Sequence, residues 1–479
     1  MRQHPVAFFR YTYKKFWLLA IPFIRALTHG GEYKNILKSS LYIDVVIMAV
    51  IVISAVVRWY NIQIITNENG ITFKSGMIVK RELYIPFSSV SMVKTGELFL
   101  VKPFDAAVVF IYTDAETGWN KRRNPNQRLL LKLTDYQQLF NKLPNNILNE
   151  KRTCSLPKGK LLIYSFAFSS VLSGTIYLSA LLFHVGSTMK NELEMMFVSA
   201  VNDVARIAEK VISDITPFTA AVIVIIVISW IISFGSNYFR NVNFISARHE
   251  KMLMTMNGYF YKTRNFIDIE KVSFIDIKQK LMMKVFGVAQ VILCCSENTP
   301  MIIPFCSKKN ISDFIKILIP EMYCEVESFS GRKQFMRYMA APLFMMYSVI
   351  AAGAAAVMIF PEWYRLIFFT AIMLEITVLH FYAVRIISYF TSGAECNRNS
   401  VSIKYSSFLS FHHVIIPLDR AAELKITSTL LQRISSSCDL SFYSAGKIPL
   451  RHRIRGLKIY DAERIALKIF KENYNGKQK

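Results

Sequence analysis

Acidic side chains are in short supply. Against 58 Lys and Arg the 479-residue chain carries 33 Asp and Glu, a formal net charge of +25. Cysteine is sparse and unpatterned. The seven, Cys154, Cys294, Cys295, Cys306, Cys324, Cys396 and Cys438, are odd in number and contain no Cys-x-x-Cys pair, which excludes a disulfide framework and a zinc site and fits a reducing compartment. Enzyme signatures are missing too. There is no Gly-rich phosphate loop ending in Lys-Ser/Thr, no His-Glu-x-x-His and no Gly-x-Ser-x-Gly, so no catalytic residue, metal or cofactor is expected. His412-His413 is the nearest approach to a metal pair, but adjacent residues on a strand point to opposite faces.

Apolar residues, by contrast, are plentiful. They make up 53% of the chain, and mean hydropathy is +0.30. The excess sits in long runs: residues 41–60, 161–185, 217–234, 339–360 and 366–389, with a weaker candidate at 16–27. Each strong run has roughly the 20 residues that a helix needs to cross a bilayer. The weak run holds nine apolar or proline residues between Lys15 and Arg25, and no cleavage site of small residues follows it. Five or six transmembrane helices are therefore expected. The positive charge then reads as the inside bias of a membrane protein, and nucleic acid is not expected as a partner.

Between the runs one pattern recurs. Shifted by 182 positions, Gly76, Lys80, Ile85, Val90, Phe104 and Val109 fall on Gly258, Lys262, Ile267, Val272, Phe286 and Val291. Shifted by 331, Ile85-Pro86 falls on Ile416-Pro417, Lys94 on Lys425, Val109 on Leu440 and Tyr112 on Tyr443. A period this long is a duplicated domain rather than a solenoid unit. The three copies occupy 61–160, 237–338 and 391–479, alternating with membrane segments 1–60, 161–236 and 339–390. Each carries 15 Lys and Arg, against 8, 9 and 7 acids. The intervening loop 186–215 has Lys190, Arg206 and Lys210 against five acids, and its apolar residues recur at helical spacing. The copies are thus predicted on the cytoplasmic side, with an amphipathic helix, or a helical extension of a span, in the outer loop.

Inside copy one, the runs 61–66, 70–73, 80–85 and 108–112 are β-branched and aromatic, punctuated by Asn69-Gly70 and Ser75-Gly76, which reads as successive hairpins. Each copy closes on a helical segment, opened by Thr134-Asp135, Ser312-Asp313 and Asp461. Strands and one terminal helix, Gly-x-x-x-Lys, Ile-Pro, and the stretch Lys284-Val285-Phe286-Gly287-Val288 together resemble the membrane-flanked bacterial pleckstrin-homology (PH) domain family. The three-copy arrangement is similar to its YdbT-type members. Copy three departs most, with Phe411-His412 at Lys80-Arg81 and Ser435-Ser436-Ser437 at the Phe-Gly segment.

That resemblance implies a partly open seven-stranded barrel with a helical cap, three times over, on an α-helical membrane domain. It implies binding rather than catalysis, assembly with a smaller one-domain relative (YdbS-type) or with itself, and a place in envelope or antimicrobial-stress defence, in the bacterial inner membrane.

Three sets of residues are candidates. Lys80, Arg81, Lys262 and Arg264 lie where PH folds bring cations to headgroups, and basic hairpins add Lys121, Arg122, Arg123 and Arg128 in copy one and Arg451, Arg453 and Arg455 in copy three. Such clusters attract anionic lipid or a partner; the alternative is a solvated edge that deters strand pairing. Glu375, with His380 beyond it, lies in the last apolar run, where an ionisable group must face protein; it pairs helices or serves a transporter of peptide or lipid. Ala351-Ala352-Gly353-Ala354-Ala355-Ala356 permits close helix approach.

Overall fold

The computed structural model describes residues 3–13, 33–67, 69–76, 80–98, 104–113, 127–132, 153–169, 217–295, 300–323, 333–397, 400–445 and 450–476, with isolated positions between 135 and 206. Copy one contributes β1 (Gln63–Asn67), β2 (Gly70–Ser75), β3 (Arg81–Pro86), β4 (Val90–Leu98), β5 (Ala106–Thr113) and β6 (Gln127–Lys132). A short β7 (Thr153–Ser155) precedes copy two, which holds β8 (Ile245–His249), β9 (Met252–Asn257), β10 (Tyr261–Asp268), β11 (Val272–Lys280), β12 (Val288–Cys295) and β13 (Met301–Ser307). Copy three repeats the order as β14 (Gly393–Cys396), β15 (Ser400–Ser407), β16 (Ser410–Pro417), β17 (Ala421–Thr427), β18 (Ser437–Ser444) and β19 (Arg451–Lys458). In every copy the third and fourth strands are joined by a single 3-10 turn: residues 87–89, 269–271 and 418–420. Gly258 opens the β9–β10 hairpin at φ +98°, where a Cβ would sit 2.1 Å from the Tyr261 carbonyl oxygen.

The strands do not close into three separate barrels. Each copy splits into two three-stranded halves, and the second half of one copy pairs with the first half of the next. The sheets run β1-β2-β3, then β6-β5-β4-β10-β9-β8-β7, then β13-β12-β11-β16-β15-β14, then β17-β18-β19. Adjacent residues on the shared strands serve different cores. Val93, Met254 and Phe266 pack with copy one, while Met92, Leu253 and Ile267 pack with copy two. Phe274 and Cys294 of copy two likewise join the core of copy three. Pleat alternation makes this possible, since neighbouring side chains leave opposite faces of the sheet.

The helices also correct the sequence reading. They are α1 (Ala7–Tyr13), α2 (Tyr33–Tyr60), α3 (Lys158–Ala167), α4 (Pro217–Asn241), α5 (Leu281–Val285), α6 (Lys308–Leu318), α7 (Phe335–Ile359), α8 (Tyr364–Thr391), α9 (Leu430–Ile434) and α10 (Ile459–Gly476). Among the described residues only two stretches, 335–359 and 370–391, are long and apolar enough to cross a membrane, so the described residues do not build the expected domain of five or six spans. Several apolar runs dock helices on the modules instead. Leu161 and Phe168, at α3, pack with Met283, Val288 and Phe305 of copy two, and α3 ends at Ala167. Ala55 of α2 packs with Ala7 and Tyr11 of α1 against Ala106 and Leu130 of copy one. The candidate run 16–27, most of the outer loop and the helix expected after Thr134 lie outside the described residues. Closing helices are seen in copy two (α6) and copy three (α10).

Helices α7 and α8 form a hairpin through the turn at 361–363. Gly353 brings them together: a Cβ there would meet the Ala371 Cβ at 3.5 Å. Their outer surfaces are bare, Met358 being 83% exposed. An apolar face of that size marks a lipid or protein contact.

Because Phe266 fills a core shared by two copies, Phe266→Ala is expected to cost about 3–5 kcal/mol and to lower the melting of both copies in one cooperative transition. Calorimetry of the full chain checks this; separate transitions for the two copies would contradict it.

Candidate functional site

The chain's distinctive chemistry lies where copies meet. At the first junction β4 runs antiparallel to β10, with Val93 opposite Phe266, Lys94 opposite Asn265 and Thr95 opposite Arg264. At the second, β11 runs antiparallel to β16, with Ile275 opposite Ile415. Val93 moved by the 182-residue offset is Ile275, and Phe266 moved by 149, the difference between the two offsets, is Ile415. The two junctions therefore share one register.

They share a polar staple as well. Lys271, the last residue of the second 3-10 turn, donates from Nζ to the carbonyls of Ser88 and Val90 in the preceding copy, the latter at 2.8 Å. Arg420, its counterpart in the third turn, donates to the carbonyl of Glu270, which is the counterpart of Ser88. A side-chain pair crosses each junction further along: Arg264 to Glu97 at 3.2 Å in the first, His412 Nδ1 to Asp276 Oδ2 at 2.8 Å in the second.

Repetition leaves two strands over. Among the described residues β3 has no neighbour on its outer side, and neither has β17. One is a third strand and the other a fourth strand, the two kinds that pair at the junctions. Tyr84 on β3 is 50% exposed, whereas its counterparts Phe266 and Ile415 are 4% and 3% exposed. Ile426 on β17 is exposed too. Both ends differ from the interior at one telling position. Copy one has Ser89 where Lys271 and Arg420 stand, and its hydroxyl turns back to the Pro86 carbonyl at 2.9 Å. Copy three has Glu423 where the buried Met92 and Phe274 stand.

The residues singled out from sequence are scattered over this frame. Lys80 and Arg81 are exposed at the start of the free strand β3. Lys262 is exposed on β10, but Arg264 belongs to the first junction through Glu97. Lys121, Arg122 and Arg123 lie outside the described residues, and Arg128 pairs in register with Phe110.

Arg451, Arg453 and Arg455 do share a face of β19, with His452 and Ile454 buried on the other. They face protein partners rather than forming a free basic patch. Arg451 donates to Ser441 Oγ at 3.1 and 3.0 Å. Arg453 pairs with Asp439, which is only 1% exposed. Arg455 is held below its usual pKa, chiefly by burial. Asp439 also accepts from Arg337 of α7 (3.1 Å), Gln432 (2.9 Å) and the Gly456 amide (2.8 Å), tying copy three to the apolar hairpin. A Cβ on Gly456, at φ +60°, would lie 3.1 Å from the Arg337 Cβ. Sequence reasoning missed Asp439; its only signal was an acid inside an apolar strand.

In α8, Glu375 is half-buried and its Oε1 has no partner among the described residues. His380 lines a cavity of about 460 Å³ with Phe168, Lys278, Lys280 and Phe408, and Glu375 is not part of that lining. Five residues apart, the two lie on different faces of the helix, so they form no relay. The histidines do not form a metal site: His412 takes Asp276, while His413 Nε2 lies 2.7 Å from Ser402 Oγ. Among the described residues no cluster could hold a metal ion.

The family model for the bacterial PH domain matches residues 18–143, 192–322 and 346–473, one six-stranded copy in each. No curated protein and no solved structure matches the chain.

Burial alone would raise the Asp439 pKa; the Gly456 amide, Arg337, Arg453 and Gln432 outweigh it and hold the carboxyl below its ordinary value. Its contribution to stability is then complete above the ordinary carboxylate pKa and fades as pH falls through the folded value. Asp439→Asn is expected to cost about 3 kcal/mol near neutrality, because two half-buried arginines lose their counter-charge, and less in acid. Denaturant melts across pH measure this; an equal loss at every pH would contradict it.

Proposed function

Since the chain belongs to the bacterial PH domain family, with three copies in tandem, we propose that it is a membrane-associated binding scaffold that assembles with another protein bearing the same module. The observation that carries this reading is the common register of the two junctions. Modules of this kind recognise one another through the edge of a third strand against the edge of a fourth, and among the described residues one of each, β3 and β17, is left unpaired. Main-chain hydrogen bonds at a sheet edge supply affinity and side chains at alternate positions supply selection.

The two end positions favour a separate module over a second copy of this chain. A partner seated on β17 in the junction register would bring its own 3-10 turn beside Asp419, and the internal junctions put a basic residue there. This chain's own free module offers Ser89 instead. Glu423 adds a carboxylate where the interior has Met92 and Phe274, which a cationic partner strand satisfies better than the Ile85 that a second copy would place opposite it. A one-domain relative with a basic residue at its 3-10 turn and a cationic third strand would meet both conditions.

In this reading the α7–α8 hairpin crosses the bilayer, supported by its length, apolar character and bare surface. The basic modules lie on the cytoplasmic side. Exposed Lys80, Arg81 and Lys262 add diffuse attraction to anionic lipid. The transporter alternative finds no support in the separation of Glu375 from the cavity at His380.

Affinity purification of the full chain in mild detergent tests the proposal. A smaller protein with a single copy of the module is expected to copurify. Ile426→Lys and Tyr84→Lys, which put a charge on each free edge, are expected to reduce its recovery at least about tenfold, the effect of roughly 1.4 kcal/mol, without lowering the melting temperature. Ser89→Lys supplies the missing staple donor and is expected to promote self-association by light scattering. Recovery unchanged in both edge variants, or no module-bearing partner at all, would contradict it.

A further inference from the structure

The second junction holds a cavity of about 560 Å³. Its floor is one face of the shared sheet: Ile277 and Gln279 of β11, Phe411, His413 and Ile415 of β16, and Lys404 of β15. Helix α6 roofs it with Lys308, Ile311 and Ser312, and Lys284 of α5 closes a side. Phe390 and Thr391, the last residues of α8, stand at its wall. Lys284 Nζ is held 3.9 Å from the Phe411 ring centre and 3.3 Å from Thr391 Oγ1.

Three lysines line this space, and no Asp or Glu does among the described residues. At the first junction the position of Gln279 is occupied by Glu97, bound to Arg264, the counterpart of His413. The first junction thus meets positive charge on this face with a built-in carboxylate. At the second junction the equivalent position is a neutral amide, Gln279, which lines the cavity.

We propose that this cavity binds a phosphorylated anion, with Lys284, Lys308 and Lys404 as its counter-charges and Thr391 and Ser312 as hydroxyl donors. A phosphate group suits the site because its several oxygens can take charge-assisted hydrogen bonds from lysines on three different elements at once. Thr391 ends the apolar helix α8, so a membrane headgroup reaches the cavity without leaving the bilayer surface; this lipid form of the proposal rests on α7–α8 spanning the membrane, and the free-phosphate form does not.

The empty site carries a cost that the ligand removes. Burial first, then neighbouring lysines, push Lys284 and Lys404 down to about 8, and burial with Lys404 and Lys308 pushes His413 to about 3. The titratable groups around them are Lys308, Tyr323, Tyr405, His412 and His413, with Asp276 bonded to His412. A lowered lysine pKa means that the charged form is disfavoured by folding, so the charge destabilises the empty protein fully below about pH 8. An anion restores the charge, takes up protons, and binds less well as pH rises through that value.

The test uses the full chain in detergent with two probes, short-chain phosphatidic acid and inorganic phosphate, and phosphatidylcholine as a reference. Phosphatidic acid is expected to bind and to raise the melting temperature. Lys284→Met and Lys404→Met are each expected to weaken binding about tenfold while making the unliganded chain more stable. Gln279→Glu, which restores the first junction's carboxylate, is expected to abolish binding with no loss of fold. Inorganic phosphate bound as tightly and with the same lysine dependence identifies a free phosphate as the ligand; binding confined to phosphatidic acid identifies a headgroup. Failure of both probes to bind, or binding undiminished by Gln279→Glu and by both lysine variants, would overturn the proposal.

Discussion

Everything in this chain depends on a strand pairing made between copies rather than within them. In a self-contained module the third and fourth strands are successive in sequence, and a short turn would allow them to pair. Here a three-residue 3-10 turn sends the fourth strand away, and at the two junctions a fourth strand pairs instead with the third strand of the next copy. Backbone groups on an unpaired edge are costly to bury and hazardous to expose. Among the described residues, concatenation satisfies four of the six such edges and leaves two, those of β3 and β17.

The same constraint explains the packing. Once β4 and β10 are continuous, their two faces look into two cores, so Met92 and Val93 stabilise different copies although they are neighbours. The modules are then joined by continuous backbone pairing, and the cavity of the second junction is built on that shared sheet. Asp439 ties copy three to the apolar hairpin as well, since Arg337 of α7 and Arg453 of β19 share its carboxylate.

Local order was legible in the sequence. The β-branched runs of copy one fall on β1, β2, β3 and β5, and the 182- and 331-residue offsets carry the 3-10 turn from copy to copy without slippage. Partner choice was not legible, because a repeat states that Val93 and Ile275 are equivalent but not that each faces a residue of the next copy. The apolar runs misled for a related reason. Leu161 and Ala55 are apolar because they meet module surfaces, and hydropathy does not tell such a surface from lipid. Clustering in sequence is a poor guide to free cations, since Arg453 pairs with Asp439 and Arg455 is half-buried. Lys284, Lys308 and Lys404 are far apart in sequence and meet only through the junction.

Amide hydrogen exchange on the full chain tests the central claim most directly. If the copies are joined as described, the amides of β4, β10, β11 and β16 exchange with the slow core, while outward-facing amides of β3 and β17 exchange fast in the unpartnered protein. Fast exchange along β4 and β10, indistinguishable from that of β3 and β17, would show that the modules stand apart and would contradict the account.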